Sequence, residues 1–182
     1  MILSKADYKE YLRADAAVNC SNKRWLDRLN LSITWKYLKC MRRLEYILNC
    51  KRKNIFNRFR CLYNKYKLYK LSVKSSISIP PNTFGKGLYI PHHGTIVVNP
   101  SARFGDNCVI QCGVNISADV VGGDHIFFAT GCKIIMGIQI SDDSIIGANA
   151  VVTKDIDEPN IVVAGVPAKK ISNKGHKDRI DV

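Results

Sequence analysis

The stretch Ile90-Pro91-His92-His93-Gly94-Thr95-Ile96 opens and closes on isoleucines six residues apart, and this interval recurs along the chain. Steps of six from Phe84 meet only apolar or small residues: Phe84, Ile90, Ile96, Ala102, Cys108, Val114 and Val120. A second series, displaced by two residues, runs through Phe128, Ile134, Ile140, Ile146 and Val152. A period of about six fits neither an amphipathic helix nor an alternating strand. It is typical of a hexapeptide-repeat β-helix, in which each repeat is a short strand and a turn.

The displacement between the two series lies within residues 120–127. We interpret it as a two-residue insertion that bulges out at a corner, because Gly122 and Gly123 supply the backbone freedom that a bulge needs. Small residues four positions after a ladder residue fit a narrow prism interior; they are Gly94, Cys112, Ala118, Cys132, Ser144 and Ala150. The sequence therefore predicts roughly four triangular coils between residues 84 and 157.

The size and charge of the chain limit its class. It has 182 residues and a formal net charge of +13, with 28 Lys and Arg against 15 Asp and Glu. This length allows one or two domains with a real core. No run approaches the roughly 18 apolar residues that span a bilayer, and the N-terminal residues 1–8 have no hydrophobic signal core. We therefore expect a protein that is not exported.

The seven cysteines are an odd number, and no pair has a CxxC-type metal spacing. Cys108, Cys112 and Cys132 fall on positions that the ladder directs inward, so we interpret them as small buried hydrophobes. This pattern predicts no metal site and favours the reducing cytoplasm as the location of the protein.

The first 75 residues have a helical rather than a six-residue pattern. Apolar residues at three-to-four spacing predict helices over about 4–20, 24–30, 33–49 and 54–71. The consecutive prolines Pro80 and Pro81 end this region, because they forbid a helix and favour an extended chain.

The predicted fold class is mainly β, a β-helix preceded by a small α-helical domain. Its parts are a basic α-helical region over 1–75, a β-helix over 76–172 and a polar C-terminal tail, which we expect to fray, over 173–182.

Basic residues are concentrated before the β-helix. Sixteen Lys and Arg lie between residues 23 and 74, where the only acids are Asp27 and Glu45. Three interpretations stay open: a solvated helical face, contact with an anionic membrane surface or a lipid-linked pyrophosphate, and nucleic-acid binding. Tyr and Phe residues alternate with these charges at the spacing of a helical core, and no nucleic-acid-binding motif accompanies them. We therefore expect no nucleic-acid partner and a possible peripheral contact with the inner face of the membrane.

Three motifs together resemble one family. They are the ladder with His92, the Ile146-Gly147-Ala148-Asn149-Ala150-Val151-Val152 step and the Ala164-Gly165-Val166-Pro167-Ala168 element. The chain resembles hexapeptide-repeat acetyltransferases of the serine acetyltransferase-like branch, in particular the O-acetyltransferases of capsule, O-antigen and colanic-acid gene clusters. The resemblance implies a left-handed parallel β-helix, a homotrimer with active sites between subunits, and acetyl-CoA as the acetyl donor.

The resemblance also implies roles for individual residues. His92 corresponds to the general base of the family, and His93, Asn115 and His125 are candidates for the acceptor pocket. The positions implied for contact with the cofactor are Ala118, Asp119, Thr130, Ala148, Thr153 and Lys154. Lys154 and Lys169 are candidates for binding the CoA phosphates as point charges.

Three departures from serine acetyltransferases bear on the acceptor. Ile77 stands where those enzymes have an aspartate that pairs with the base, so Asn115 or Asp119 is left to orient His92. Those enzymes have a loop with an Arg-His pair that recognises the amino-acid substrate, and here this loop is reduced to residues 118–124, which contain no Arg. The helical region is also shorter than theirs. We therefore predict acetyl transfer to a hydroxyl of a surface polysaccharide or its lipid-linked precursor, with serine O-acetylation as the alternative.

Two other classes compete with this prediction. A zinc lyase of the γ-carbonic-anhydrase type needs three His ligands, and His92, His93 and His125 do not have the required spacing. A non-catalytic scaffold or nucleic-acid binder would use the basic helices instead of the β-helix.

Overall fold

The computed structural model of the protein describes residues 1–20, 32–50 and 54–178. Its helices are α1 (Lys5–Asn19), α2 (Ile33–Cys50) and α3 (Ile55–Ser75). The Ser4 side chain begins α1 by accepting a hydrogen bond from the Asp7 amide at 3.0 Å. The helix predicted over residues 24–30 lies outside the described residues.

The rest of the described chain consists of short strands joined by turns, followed by a single-turn 3₁₀ helix over His176–Asp178. The strands are β1 (Ile77–Ser78), β2 (Ile96–Val98), β3 (Val109–Ile110), β4 (Asn115–Ile116), β5 (Val121–Gly122), β6 (Phe127–Phe128), β7 (Lys133–Ile134), β8 (Gln139–Ile140), β9 (Ile145–Ile146), β10 (Val151–Val152), β11 (Val162–Ala164) and β12 (Lys169–Ser172).

The strands stack into a left-handed parallel β-helix of about five turns, which confirms the predicted fold class. The first face is the sheet β1-β2-β4-β7-β10, the second contains β3, β6, β9 and β11, and the third contains β5 and β8. Equivalent positions in the middle coils are 18 residues apart. Residues 84–157 make four of these turns, as predicted. The column itself is longer, because Ile77 of β1 already pairs with Ile96 and starts it before Phe84.

Each hexapeptide directs two side chains into the prism, two residues apart. From Ile96 onward, the two series seen in the sequence are these two inward positions, and both run on through the column. Phe84 pairs with Phe104, twenty residues later, so the turn 91–95 is two residues longer than its equivalents and Phe84 belongs to the second series. Val120 is followed by the buried Ile126, and Phe128 is preceded by Gly122 in the other series. The predicted insertion within 120–127 is therefore wrong, since β5 pairs with β8 in regular parallel register.

Two of the three ladder cysteines lie in the core. Cys108 and Cys132 are buried inside the prism as predicted, and this burial raises the pKa of each thiol to about 12. Cys112 departs from the prediction, because it lies in the turn between β3 and β4 and is only half-buried.

We expect iodoacetamide at about pH 8 to spare Cys108 and Cys132 in the folded protein while it labels the half-buried Cys112. A thiol whose pKa is raised to about 12 stays protonated far above pH 8, and the thiolate is the reactive form. Mass spectrometry of the labelled chain, before and after unfolding, measures the difference. Rapid labelling of Cys132 in the native protein would contradict its buried position.

The helices bind the backbone of the first coil, which has no preceding coil to pair with. Tyr37 of α2 exchanges two hydrogen bonds with the backbone of Ile79, at 2.8 and 2.9 Å. The Asn19 side chain accepts from the Ile90 amide at 3.1 Å and donates to the Leu88 carbonyl at 2.7 Å. These bonds satisfy buried backbone groups that later coils satisfy through their neighbours.

Arg42 of α2 is fully buried and joins the helices to the same coil. Its guanidinium binds Asp15 at 2.8 Å and Glu45 at 3.1 Å, and it donates to the carbonyls of Phe84 and Gly85. Asp15 and Glu45 each also accept a hydrogen bond from a backbone amide of the first coil. A buried charge is stable only when it is paired and hydrogen-bonded. This cluster therefore holds the helices in one position on the β-helix.

The aromatic residues of α3 are exposed, although their spacing predicts a core-facing stripe. Phe59 and Tyr66 are 65% and 57% exposed, whereas the buried residues of this helix are Asn64, Leu68 and Ser75. The predicted packing is therefore wrong for α3. Among the described residues, no helix combines the length and the apolar character needed to cross a bilayer.

The C-terminal residues 173–178 fold back along the β-helix, where the polar composition predicts a frayed tail. The Gly175 and His176 amides donate to the carbonyls of Asn160 and Asp143, at 2.9 and 2.8 Å. The His176 ring also packs against Phe127, with 5.8 Å between the ring centroids. The tail therefore covers part of the second face.

Candidate functional site

The turns between strands stack into three edges of the prism, each named here after one residue. The His92 edge contains the turns 91–95, 111–113, 129–131, 147–149 and 164–168. The Asp119 edge contains the turns 99–101, 117–119, 135–137 and 153–155. The His125 edge contains the turns 85–87, 105–107, 123–125, 141–143 and 157–160.

His92 lies in the first turn of its edge, with its side chain exposed. The backbone beside it is fixed, because the Gly94 amide donates to the Ser75 carbonyl at 3.0 Å. Gly94 has a φ of +147°, and a Cβ at this position would come within 3.0 Å of the Cys112 Cβ. Only glycine fits so close an approach at this φ, so the turn holds the imidazole on a rigid support.

The His92 ring makes no hydrogen bond or ion pair with any residue that the structure describes. Ile77, which stands in place of the expected aspartate, points into the prism and is fully buried. Of the two suggested orienting residues, Asn115 lies on β4, on the face that starts at the His92 edge. Asp119 lies on the far edge of that face, so Asn115 is the nearer candidate by topology.

The residues implied for cofactor contact fall on two edges. Thr130 and Ala148 lie on the His92 edge in successive turns, which are joined by a bond from the Asn149 amide to the Thr130 carbonyl at 2.9 Å. The others lie on the Asp119 edge: Ala118, Asp119, Thr153 and Lys154. The first face separates these edges, so one chain does not bring the two groups together.

The structure places His125 on a different edge from His92. It has a φ of +54°, and its equivalents Asn107 and Asp143 have φ values of +57° and +59°. These residue types tolerate the left-handed conformation better than most. The His125 Nε2 lies 3.2 Å from the Asn107 side-chain nitrogen, and its Nδ1 lies 3.5 Å from Asp143. Within one chain His125 is therefore a turn residue and not a neighbour of His92.

The histidines considered for zinc are divided in the same way, with His92 and His93 on one edge and His125 on another. Within the described ranges, no group of three or more His, Cys, Asp or Glu side chains is arranged to hold a metal ion.

Lys169 starts β12, which pairs antiparallel with β11 at the C-terminal end of the β-helix. A cavity of about 260 Å³ opens at this end and is lined by Lys154, Lys170 and several acids. Lys170 pairs with one of them, Glu158. The charge of this cavity is mixed, so the charge alone does not select a phosphate group.

A basic cavity of about 410 Å³ lies between the helices and was not expected from the sequence. Lys36, Lys39 and Arg43 of α2 line it together with Lys67 of α3 and Tyr8 of α1. The spacing of the three α2 residues shows that they share a helix face. Only the packing of α3 on α2 reveals that Lys67 joins them.

The sequence is similar to those of curated acetyltransferases. It is 36% identical over 100 residues to the serine acetyltransferase of Mycobacterium tuberculosis, a match covering 50% of this chain and 43% of that protein. It is 30% identical over 113 residues to the galactoside O-acetyltransferase of Escherichia coli, a match covering 52% of this chain and 55% of that protein. The chain is a hexapeptide-repeat protein similar to serine acetyltransferases. It spans about half the length of these relatives, and no protein-family model matches it.

Solved serine acetyltransferases share the fold of this chain. The structure from Neisseria gonorrhoeae has a TM-score of 0.75 at 21% identity and covers 93% of this chain and 68% of that one. The structure from Brucella abortus in complex with coenzyme A has a TM-score of 0.72 at 23% identity, with coverages of 93% and 68%. The likeness of fold therefore extends beyond the β-helix to the helical region.

Proposed function

We propose that the protein is an acetyl-CoA-dependent O-acetyltransferase and that His92 is its general base. The observation that carries this proposal is the placement of His92, an exposed imidazole on a turn with a fixed backbone. The similarity to acetyltransferases, one of which is solved with coenzyme A, supports acetyl-CoA as the donor.

The proposed reaction is acyl transfer to an alcohol. Neutral His92 takes the proton of the acceptor hydroxyl while the oxygen attacks the thioester carbonyl of acetyl-CoA. The new C–O bond gives a tetrahedral intermediate, the C–S bond then breaks, and the imidazolium returns the proton to the departing CoA sulfur. The donors to the oxyanion would be backbone amides of the His92 edge other than those, such as the amides of Gly94 and Asn149, which already bond carbonyl groups of the chain.

We propose that the active unit is a homotrimer. The residues assigned to catalysis and to cofactor contact lie on the His92 edge and on the Asp119 edge of one prism. Packing of the Asp119 edge of one subunit against the His92 edge of the next would bring the two groups into one cleft. In such a cleft Thr130, Ala148 and Lys154 would hold coenzyme A, and His93 and Asn115 would face the acceptor. The odd number of cysteines, seven, supports the cytoplasm as the location.

The comparisons support serine better than the saccharide that the sequence favours. The relatives include the serine acetyltransferases of M. tuberculosis and Staphylococcus aureus. We therefore propose L-serine as the first acceptor to test.

A sugar hydroxyl is the second candidate. The E. coli relative is a galactoside O-acetyltransferase, and the buried Ile77 leaves this chain without the aspartate that the resemblance to serine acetyltransferases implies.

A CoA-release assay with saturating acetyl-CoA tests both acceptors. We expect one of them, L-serine or a galactoside, to raise CoA release at least about tenfold over hydrolysis in the wild type and not in His92→Asn. Turnover with serine alone would exclude the saccharide. The same rate with and without either acceptor, together with no binding of coenzyme A by calorimetry, would overturn the acetyltransferase proposal.

A further inference from the structure

Helix α3 carries two opposite stripes, and the more polar stripe is the buried one. The stripe packed toward α2 is Asn57, Cys61, Asn64, Leu68, Leu71 and Ser75. The opposite stripe, called the α3 seam here, is 57–65% exposed and consists of Ile55, Phe59, Leu62, Tyr66, Tyr69 and Val73. The burial of the polar stripe is stable because Asn64 and Ser75 bond carbonyls of α3 itself, both at 2.7 Å.

The α3 seam is a continuous apolar surface. Its residues follow one another at alternating intervals of four and three, so they line one side of the helix over its whole length. Phe56 and Tyr63 flank the seam and are 76% and 62% exposed. Contiguous exposed apolar surface of this kind marks an interaction site in most proteins.

The charge of α3 distinguishes between possible occupants. The helix has no Asp or Glu, and its basic residues are Arg58, Arg60, Lys65, Lys67, Lys70 and Lys74. Two of them, Arg58 and Lys65, share the lining of an exposed cavity with Phe59 and Leu62, and the Lys70 ammonium lies 5.5 Å from the centre of the Tyr66 ring. A second copy of this helix would bring cations against cations, which is unfavourable. A surface that offers apolar groups beside anionic groups is complementary to both the apolar seam and its basic flanks.

We propose that α3 lies on the surface of an anionic lipid bilayer, with the α3 seam in the boundary between headgroups and acyl chains. Aromatic side chains favour this boundary, and long basic side chains reach from it to the lipid phosphates. An interfacial helix needs an apolar face and a basic polar face, and α3 has both. The proposal goes beyond acetyl transfer, and it gives the basic helical region a role that the β-helix does not supply.

Vesicle co-sedimentation of the full-length chain tests the proposal. We expect binding to phosphatidylcholine vesicles containing phosphatidylglycerol, at least about tenfold tighter than to phosphatidylcholine alone and weakened by high salt. The double substitution Leu62→Gln/Tyr66→Gln should weaken binding at least about tenfold by removing apolar contact. Ile171→Gln is the matched control, because Ile171 is an apolar residue of the β-helix that is 66% exposed; it should bind like the wild type.

Other outcomes overturn the proposal. If the wild type does not bind phosphatidylglycerol vesicles at low salt, α3 is not a membrane helix. If light scattering shows that Leu62→Gln/Tyr66→Gln lowers the molecular mass while vesicle binding is unchanged, the seam joins copies of the chain. If circular dichroism shows that this variant is unfolded, Lys65→Gln/Lys70→Gln decides, and unchanged binding by that variant contradicts the proposal. Each readout is binding or mass, so failure here is distinct from failure of the acetyltransferase proposal.

Discussion

His92→Asn is expected to lower the turnover number of the proposed acetyl transfer by about 10²–10⁴-fold, the range typical for loss of a general base. Asparagine is similar in size and polar, and its amide does not take up the proton of the acceptor hydroxyl near pH 7. The exposed position of the ring means that the substitution leaves the core untouched. Coenzyme A affinity, measured by calorimetry, should therefore stay within about threefold of the wild type.

His93→Asn is the paired control for this experiment. His93 lies in the same exposed turn, so a general disturbance of the turn would affect both variants equally. If His93 only borders the acceptor, its loss should raise the KM for the acceptor more than it lowers turnover. A His92→Asn enzyme that keeps more than a tenth of wild-type turnover would show that another group is the base.

Arg42→Met is expected to reduce the free energy of unfolding by about 3–5 kcal/mol, since it removes one partner of a buried ion cluster. Methionine fills similar space but leaves the carboxylates of Asp15 and Glu45 buried without their cation. The carbonyls of Phe84 and Gly85 also lose their donor. Guanidinium chloride unfolding, followed by circular dichroism, measures the change.

Arg43→Met is the control for this effect, because Arg43 is the next residue of α2 but has an exposed side chain. A surface substitution of this kind should change the free energy of unfolding by no more than about 0.5 kcal/mol. Equal effects of the two substitutions would mean that the buried cluster contributes nothing specific to stability.

The six-residue period was sufficient to predict the β-helix, because the narrow interior accepts only small or apolar side chains at fixed intervals. The same narrow interior explains the error at the displacement. Small residues such as Gly122 and Ser144 occupy inward positions, so neither inward series is continuous in hydrophobicity. Two interleaved series then resemble one series with an insertion.

The burial of α3 could not be predicted from spacing, because both of its stripes have nearly the same period. The choice between them depends on whether buried polar groups are satisfied, and Asn64 and Ser75 are satisfied within the helix. The arrangement of the candidate site likewise could not be predicted from spacing alone. The sequence located His92 in its turn, but only the stacking of coils shows that His125 and Asp119 lie on other edges.

The covering of the first coil by the helices has a consequence for how copies of the chain behave at high concentration. An uncovered end of a parallel solenoid offers a row of open strand groups to the end of another copy, and growth from such ends gives fibres. Tyr37, Asn19 and Arg42 occupy those groups with side chains of the same polypeptide. The helical region therefore acts as a terminator that keeps head-to-tail polymerisation from starting at this end.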